Sequence, residues 1–524
     1  MPSDVEAVEL SRLLDPHPRE APCLVHEGRT WTYGELRAAV SSLAGEMAAE
    51  AAGAPTADTA GSTPGATTAE AAGGGGSRLA GEPVAFMLPN GPEAVCLHLA
   101  CFRSGAIAAP LDTRYAPPEL ERALRRARPR WLVVDETRVD RVAAVDPAVL
   151  EGVRVLVAGR DTGPHEPFAP LLASRAEPPS RRPGPDDPAL LLFTSGSAGI
   201  PKGVLHSHRS AAAMLTSTSE ALGDVTAGDR TQVCDPLVHV SGFIETLTTL
   251  LAGGAVFLYD GFVPDAFVAG LLAHRPTLVC THIDVLARLA HDPEATGEWF
   301  SSLRGAYTGG DTVPSALQRD FTALAGIPIG VGYGMTEAIW LTLHRGHTLE
   351  PDGCIGTPVD GAELRTDEET GEILVRGPMV MTGYWQDPEL TRDSFTGGWF
   401  RTGDLGRRDA EGVWWFEGRL KDVIVRRTSK ITPGEVESAI DDHPAVAEAA
   451  VVDAPDPEEG QVPVAFVVLR RGQKATEEGL TAFLRERLAA YKVPARIHFP
   501  DALPLTASGK IDHRSLRERV ARSA

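Results

Sequence analysis

Leu192-Phe193-Thr194-Ser195-Gly196-Ser197-Ala198-Gly199-Ile200-Pro201-Lys202-Gly203-Val204 is the stretch on which the fold turns. It leaves an apolar run, Ala189 to Phe193, that predicts a buried strand. It then becomes a loop of small residues with the hydroxyls of Thr194, Ser195 and Ser197, glycines at 196, 199 and 203, and one lysine, Lys202. Such a loop lets backbone N–H groups and hydroxyls close around phosphate oxygens, with the ammonium as a point charge. A Walker loop would carry Gly directly before a Lys-Ser/Thr pair. Here Pro201 precedes Lys202 and Gly203 follows it, which argues against a kinase or ATPase of that class. The bland alternative is a glycine-rich surface turn.

Short apolar runs continue on either side of the loop. Pro83–Leu88, Ala106–Pro110, Trp131–Val134, Val153–Ala158, Ala255–Tyr259 and Thr277–Thr281 read as strands. Helical segments lie between several of them, such as Glu93–Arg103 and Pro118–Arg126. This alternation predicts α/β architecture: a large N-terminal domain of helix-covered, mostly parallel sheets. After Gly353 the segments shorten, as in Glu372–Arg376 and Val413–Phe416, and a small β-rich subdomain is expected over about 353–420. From Val436 onward a helix, two strands (Val446–Val452, Val464–Leu469) and a helix over Glu477–Ala489 predict a small α+β C-terminal domain. The expected boundary falls in Gly418-Arg419-Leu420-Lys421-Asp422, giving domains 1–420 and 421–524. Near the N-terminus, Thr32 and Glu35 have capping-box spacing for a helix running to about Glu50. The Ala/Gly/Thr/Ser/Pro segment 51–77 follows, with too little apolar bulk to order itself, and is expected to be a disordered loop insertion with no part in chemistry.

A chain of 524 residues exceeds one compact domain, and 43% hydrophobic residues suffice for a large core. Fifty basic residues against 71 acidic ones give a formal charge of −21, which disfavours nucleic acid and anionic membranes as partners. The six cysteines (Cys23, Cys96, Cys101, Cys234, Cys280, Cys354) form no C-x-x-C pair and read as buried thiols in a reducing compartment. The first residues lack a signal-peptide pattern, and no apolar stretch is long enough to span a bilayer. A cytoplasmic location is expected.

Four further motifs follow the loop in order: Gly309-Gly310-Asp311; Gly330-Val331-Gly332-Tyr333-Gly334-Met335-Thr336-Glu337-Ala338; Trp399-Phe400-Arg401-Thr402-Gly403-Asp404-Leu405-Gly406; and Leu503-Pro504-Leu505-Thr506-Ala507-Ser508-Gly509-Lys510-Ile511-Asp512. Each alone is a turn or a solvated surface. Together, and in this order, they resemble the adenylate-forming superfamily of acyl- and aryl-CoA synthetases, peptide-synthetase adenylation domains and firefly luciferase. The resemblance runs from about Leu24 to the C-terminus, apart from the insertion.

It implies ATP-dependent attack of a carboxylate on the α-phosphate, giving acyl-AMP and pyrophosphate, then transfer to CoA. Both reactants are anions, so the site must neutralise charge and hold the groups in line. By resemblance Thr194, Ser195, Gly196, Ser197, Gly199 and Lys202 cradle phosphate, with Ala198 where the family usually has Thr. Gly309, Gly310 and Asp311 run along adenine, and Gly332, Tyr333, Gly334 and Met335 carry the stacking Tyr333. Thr336 meets the α-phosphate, Glu337 binds Mg²⁺, Asp404 and Arg419 hold ribose or phosphate, and Lys510 is the catalytic lysine. Lys421 is the pivot about which a mobile C-terminal domain turns between half-reactions.

His239, Val240, Ser241 and Gly242 resemble the acyl-pocket motif, and His239 stands where amino-acid-activating relatives place Asp. A non-amino carboxylic acid is therefore expected. His239 either closes the pocket and orients the carboxylate or is a core histidine; Trp340 either walls the pocket or sits in the core. Thr428 occupies a position usually held by Gly in the loop lining the pantetheine tunnel, and a β-branched residue resists close backbone approach. That leaves a second reading, adenylation alone with acyl-AMP passed to a partner ligase or a carrier-protein thiol. A third is a non-catalytic nucleotide-binding protein.

Overall fold

The structure, a computed structural model, describes residues 8–50, 79–194, 201–346, 352–426, 429–456, 459–506 and 510–523. The insertion 51–77, loop residues Ser195 to Ile200, Thr428 and Ala507 to Gly509 lie outside the described residues.

Two sheets build the large domain. In the eight-stranded one, Pro188–Thr194 leads through parallel neighbours Ile107–Pro110, Pro83–Met87, Trp131–Asp135, Arg154–Ala158 and Glu166–Pro167. On its other side Lys202–Ser207 and then Gly383–Tyr384 pair antiparallel. The second sheet has 14 strands. Its centre is parallel: Pro22–His26, Ala255–Leu258, Arg230–Val233, Leu278–Cys280, Gly305–Gly309 and Ile329–Met335. The runs read as strands from their apolar content are strands because both faces are covered, as parallel sheets require.

The expected β-rich subdomain is continuous with this sheet. Ala338–His344 pairs with Cys354–Pro358, which pairs with Trp414–Arg419 and so leads into Trp399–Arg408, Glu372–Arg376 and Glu363–Thr366. Between the two sheets lies one core. It draws Phe86, Leu190 and Val204 from the first, Val233, Val256 and Trp340 from the second, and apolar residues of helices Tyr33–Ala49, Pro92–Ser104, His208–Ala221 and Val240–Leu251. The capping box forms as its spacing predicts: Glu35 N–H donates to Thr32 Oγ1, and Thr32 N–H donates to Glu35. All six cysteines are buried and free.

The small domain is a five-stranded sheet with helices Pro433–Asp441, Glu477–Arg485 and His513–Ser523. Its second helix stops at Arg485, four residues before the expected end. Its fully buried contacts are Leu480 and Leu484; Glu486 and Arg487 beyond it are exposed, and Leu488 is half-buried against the same core. Leu420–Asp422, where the boundary was expected, is one 3₁₀ turn. Asp422 Oδ1 there accepts from Arg517 Nη2 of the last helix at 2.7 Å.

Candidate active site

The phosphate loop closes a hairpin. Phe193 faces Gly203 and Thr194 faces Lys202 across Pro188–Thr194 and Lys202–Ser207, so both described ends of the loop leave the edge of the sheet together. A Cβ at Gly203 would stand 2.9 Å from Leu191 Cδ1 and 3.1 Å from Trp385 Cβ, so any larger residue there would crowd both side chains. Lys202 Nζ lies 5.2 Å from the centre of the Tyr384 ring.

The second nucleotide motif is also a hairpin. Ile329–Met335 and Ala338–His344 leave only Thr336 and Glu337 for the turn, with Met335 opposite Ala338. Three groups from the first sheet's edge hold this turn. His206 Nε2 donates to the Thr336 carbonyl at 2.8 Å, Met381 N–H donates to the Glu337 carbonyl at 2.7 Å, and Tyr384 Oη donates to Glu337 Oε1 at 2.9 Å. His206 is fully buried, and burial pushes its pKa down to about 4, so the ring is neutral.

Asp404 lies mid-strand in Trp399–Arg408, in register with Arg419. Its Oδ2 accepts from Tyr333 Oη at 2.9 Å, and its Oδ1 is 3.4 Å from Arg419 Nε. Burial raises its pKa, opposed by Arg419, Tyr333 and Lys510. Burial and Asp404 both hold the Tyr333 phenol well above its ordinary range, so it remains a donor. The strand is braced by Glu372, which accepts from Arg401 Nη2 at 2.6 Å and from Gly403 N–H at 2.9 Å.

Lys510 arrives from the small domain. Its Nζ is 3.8 Å from where a Cβ of Gly310 would stand, and Asp311, Asp404 and Arg419 are its charged neighbours. Burial and Arg419 lower its pKa, against the two carboxylates. Gly310 has φ +85°, a left-handed conformation that turns the chain after Gly305–Gly309. In this structure the small domain therefore presents Lys510 to the motifs of the large one.

On the acyl side, His239 precedes the helix Val240–Leu251 that carries Ser241 and Gly242. A Cβ at Gly242 would meet the Asp235 and Pro236 carbonyls at 2.4 and 2.6 Å, so glycine is needed for the helix to pass that turn. His239 Nε2 lies 3.2 Å from Arg114 Nη2 and 3.7 Å from Asp112 Oδ2. A guanidinium only donates, so Nε2 accepts and the ring proton sits on Nδ1. Arg114 in turn grips Asp112 through Nε at 2.9 Å and Nη2 at 2.7 Å. Burial is the main cause of the lowered His239 pKa. Trp340 is buried with its indole against the floor formed by Gly332 and Gly309: Cβ atoms there would meet Cζ3 at 1.4 and 3.3 Å. Trp340 belongs to the core, packed over the strands that carry Gly309 and Gly332.

Thr194, Lys202, Gly309, Gly310, Asp311, Gly332, Tyr333, Gly334, Met335, Thr336, Glu337, Asp404, Arg419 and Lys510 come from six separate places in the chain. Ser195, Gly196, Ser197, Gly199 and Thr428 are not among the described residues. Sequence reading missed His206, Tyr384, Arg114 and Asp112. The Gly383-Tyr384-Trp385 run was an available aromatic signal; the others act through contacts distant in sequence.

Residues 79–385 match the AMP-binding enzyme family and residues 435–510 the C-terminal domain of AMP-binding enzymes. The feruloyl-CoA synthase of an Amycolatopsis species is 34% identical over 522 residues, 97% of this chain and 96% of that protein. Among solved structures, ATP-bound MatB from Rhodopseudomonas palustris superposes with a TM-score of 0.85 at 28% identity, covering 98% of both chains. The amide bond synthetase McbA from Marinactinospora thermotolerans gives 0.83 at 29%, covering 97% of this chain and 99% of that one. The chain belongs to the AMP-binding, adenylate-forming enzyme family. Within it, this is an AMP-forming carboxylate–CoA ligase: ATP and a carboxylic acid give acyl-AMP, and CoA takes the acyl group as a thioester. No described helix is long and apolar enough to cross a membrane.

Proposed function

We propose that the acid is compact and carries no amino group, and that the residues named above divide the two half-reactions between them. The observation that carries the first claim is Trp340. Its indole is buried over Gly309 and Gly332, beside the nucleotide motifs; in this reading it walls the acyl site and limits its depth. Against an amine, each carboxyl near the acyl motif is already engaged or neutral. Asp112 is held by Arg114, and Asp235 Oδ1 accepts from Thr281 Oγ1 at 2.8 Å. Glu245, fully buried on the helix that starts at Val240, has its pKa raised well above the carboxylate range by burial. In this reading none of the three is the partner of a substrate ammonium.

In this reading Asp404 accepts the ribose hydroxyls, assisted by Arg419, and Tyr333 lies along adenine while holding Asp404. Thr194, Ser195, Gly196, Ser197, Gly199 and Lys202 take the β- and γ-phosphates, and Thr336 the α-phosphate. Glu337 is the Mg²⁺ ligand. A hard cation there would be held by this one carboxylate and the nucleotide's own oxygens. When bound, Mg²⁺ would neutralise charge on the leaving pyrophosphate. Lys510 offers its ammonium where the acid's carboxylate and the α-phosphate share developing charge. His239, its Nε2 occupied by Arg114, faces the acid with Nδ1–H. Val240, Ser241 and Gly242 flank it, and Trp340 closes the far end.

The boundary is placed at 420/421, with Lys421 as pivot. The short 3₁₀ turn there gives few backbone angles to change as the small domain withdraws Lys510 and admits CoA. Acids of increasing chain length, assayed for pyrophosphate release, test the proposal. Short acids should turn over and long ones should not. Equal activity on long-chain acids, or robust activation of a free amino acid, would refute it.

A further inference from the structure

Glu337 is held by a side chain with no role in the scheme above. Tyr384 is buried, its hydroxyl donates to Glu337 Oε1 at 2.9 Å, and its ring lies under Lys202 Nζ at 5.2 Å. One residue thus touches both charged groups assigned to the phosphate side. The strand Gly383–Tyr384 is itself an edge addition to the phosphate-loop hairpin, with Tyr384 opposite Val204. From that hairpin His206, its Nδ1 3.3 Å from Ser210 Oγ, reaches the Thr336 carbonyl. The strands flanking the loop and the Thr336–Glu337 turn belong to different sheets, and these two side chains tie them together.

We infer that Tyr384, seconded by His206, is a positioning residue for adenylation: it fixes the Glu337 carboxylate against the phosphate loop so that cation and phosphates are met in one geometry. The inference rests on the reading of Glu337 as the Mg²⁺ ligand. Hydrogen-bond partners of metal ligands are commonly worth about 10- to 100-fold in affinity or activity. They should matter only while pyrophosphate is present.

Tyr384→Phe, His206→Leu, His206→Gln and Glu337→Gln would be compared in three measurements. These are MgATP and metal-free ATP binding by calorimetry, pyrophosphate exchange as a function of Mg²⁺, and acyl-CoA formation from pre-made acyl-AMP. Tyr384→Phe should weaken MgATP binding on the order of 10-fold and raise the Mg²⁺ needed for half-maximal exchange. Metal-free ATP binding and thioester formation should stay within about twofold. Tyr384→Phe combined with Glu337→Gln should be no worse than Glu337→Gln alone. His206→Gln, which keeps a donor, should retain more exchange than His206→Leu. Unchanged exchange in Tyr384→Phe, parallel loss of both half-reactions, or additive effects in the double variant would overturn the inference. If Glu337→Gln itself leaves Mg²⁺ dependence unaltered, the assignment of Glu337 falls first.

Discussion

Replacing Trp340 with Ala should convert a ligase of compact acids into one that accepts longer chains. The indole presses on Gly332 and Gly309, so its removal opens a space next to the nucleotide strands. At about 0.8 kcal/mol per buried methylene, each should raise kcat/KM about fourfold, and three should raise it about 60-fold relative to the wild type. The parent short acid should lose activity, since it no longer fills its pocket. Stability should fall by about 3–5 kcal/mol, the usual cost of emptying a buried Trp site, so Trp340→Leu is the milder companion. The assay is pyrophosphate release over a ladder of straight-chain acids, with thermal unfolding to confirm a folded protein. A reciprocal control uses Gly332→Ala. Its added methyl collides with Trp340 and should abolish activity alone, yet be tolerated beside Trp340→Ala. A folded Trp340→Ala enzyme with the wild-type chain-length profile would refute the placement of Trp340 in the acyl pocket.

Lys510→Ala should slow adenylation by about 10²–10³-fold, as loss of one charge-stabilising group typically does, and leave thioester formation from supplied acyl-AMP nearly intact; single-turnover assays of each half-reaction check this. Tyr333→Phe removes the donor to Asp404 and should cost about 1 kcal/mol in ATP binding, read by calorimetry. The pH profile of adenylation should be narrowed from both sides. Lys510 must be protonated, and its lowered pKa brings the alkaline fall below the ordinary lysine range; Asp404 must be ionised, and its raised pKa moves the acid fall above the ordinary aspartate range. For stability, the raised Asp404 pKa favours the fold at low pH, and that contribution is lost as pH rises through it. A flat profile across both ranges would contradict the burial of these groups.

The parallel strands and nucleotide motifs were readable because each is local: an apolar run followed by a turn with fixed chemistry. Phe193 to Lys202 and Tyr333 to Glu337 were legible as a loop and a turn, while the hairpins they close came only from the structure. The continuity of the β-rich subdomain was not readable, because the pairing of Cys354–Pro358 with Trp414–Arg419 joins strands separated by other elements. Nor was the bracing of the site. His206 meets Thr336 130 positions away, and Arg114 meets His239 125 positions away. Such contacts depend on how two sheets dock across a shared core, which no local pattern encodes.

The central claim is that this chain carries a compact acid through acyl-AMP to a CoA thioester. Mass spectrometry of a reaction containing the protein, ATP, Mg²⁺, CoA and a mixed ladder of carboxylic acids tests it most directly, with acyl-AMP and acyl-CoA quantified against pyrophosphate. The account predicts acyl-CoA from the short, non-amino acids at the rate of pyrophosphate release. Acyl-AMP that accumulates with no acyl-CoA, or no pyrophosphate release with any acid, would contradict it.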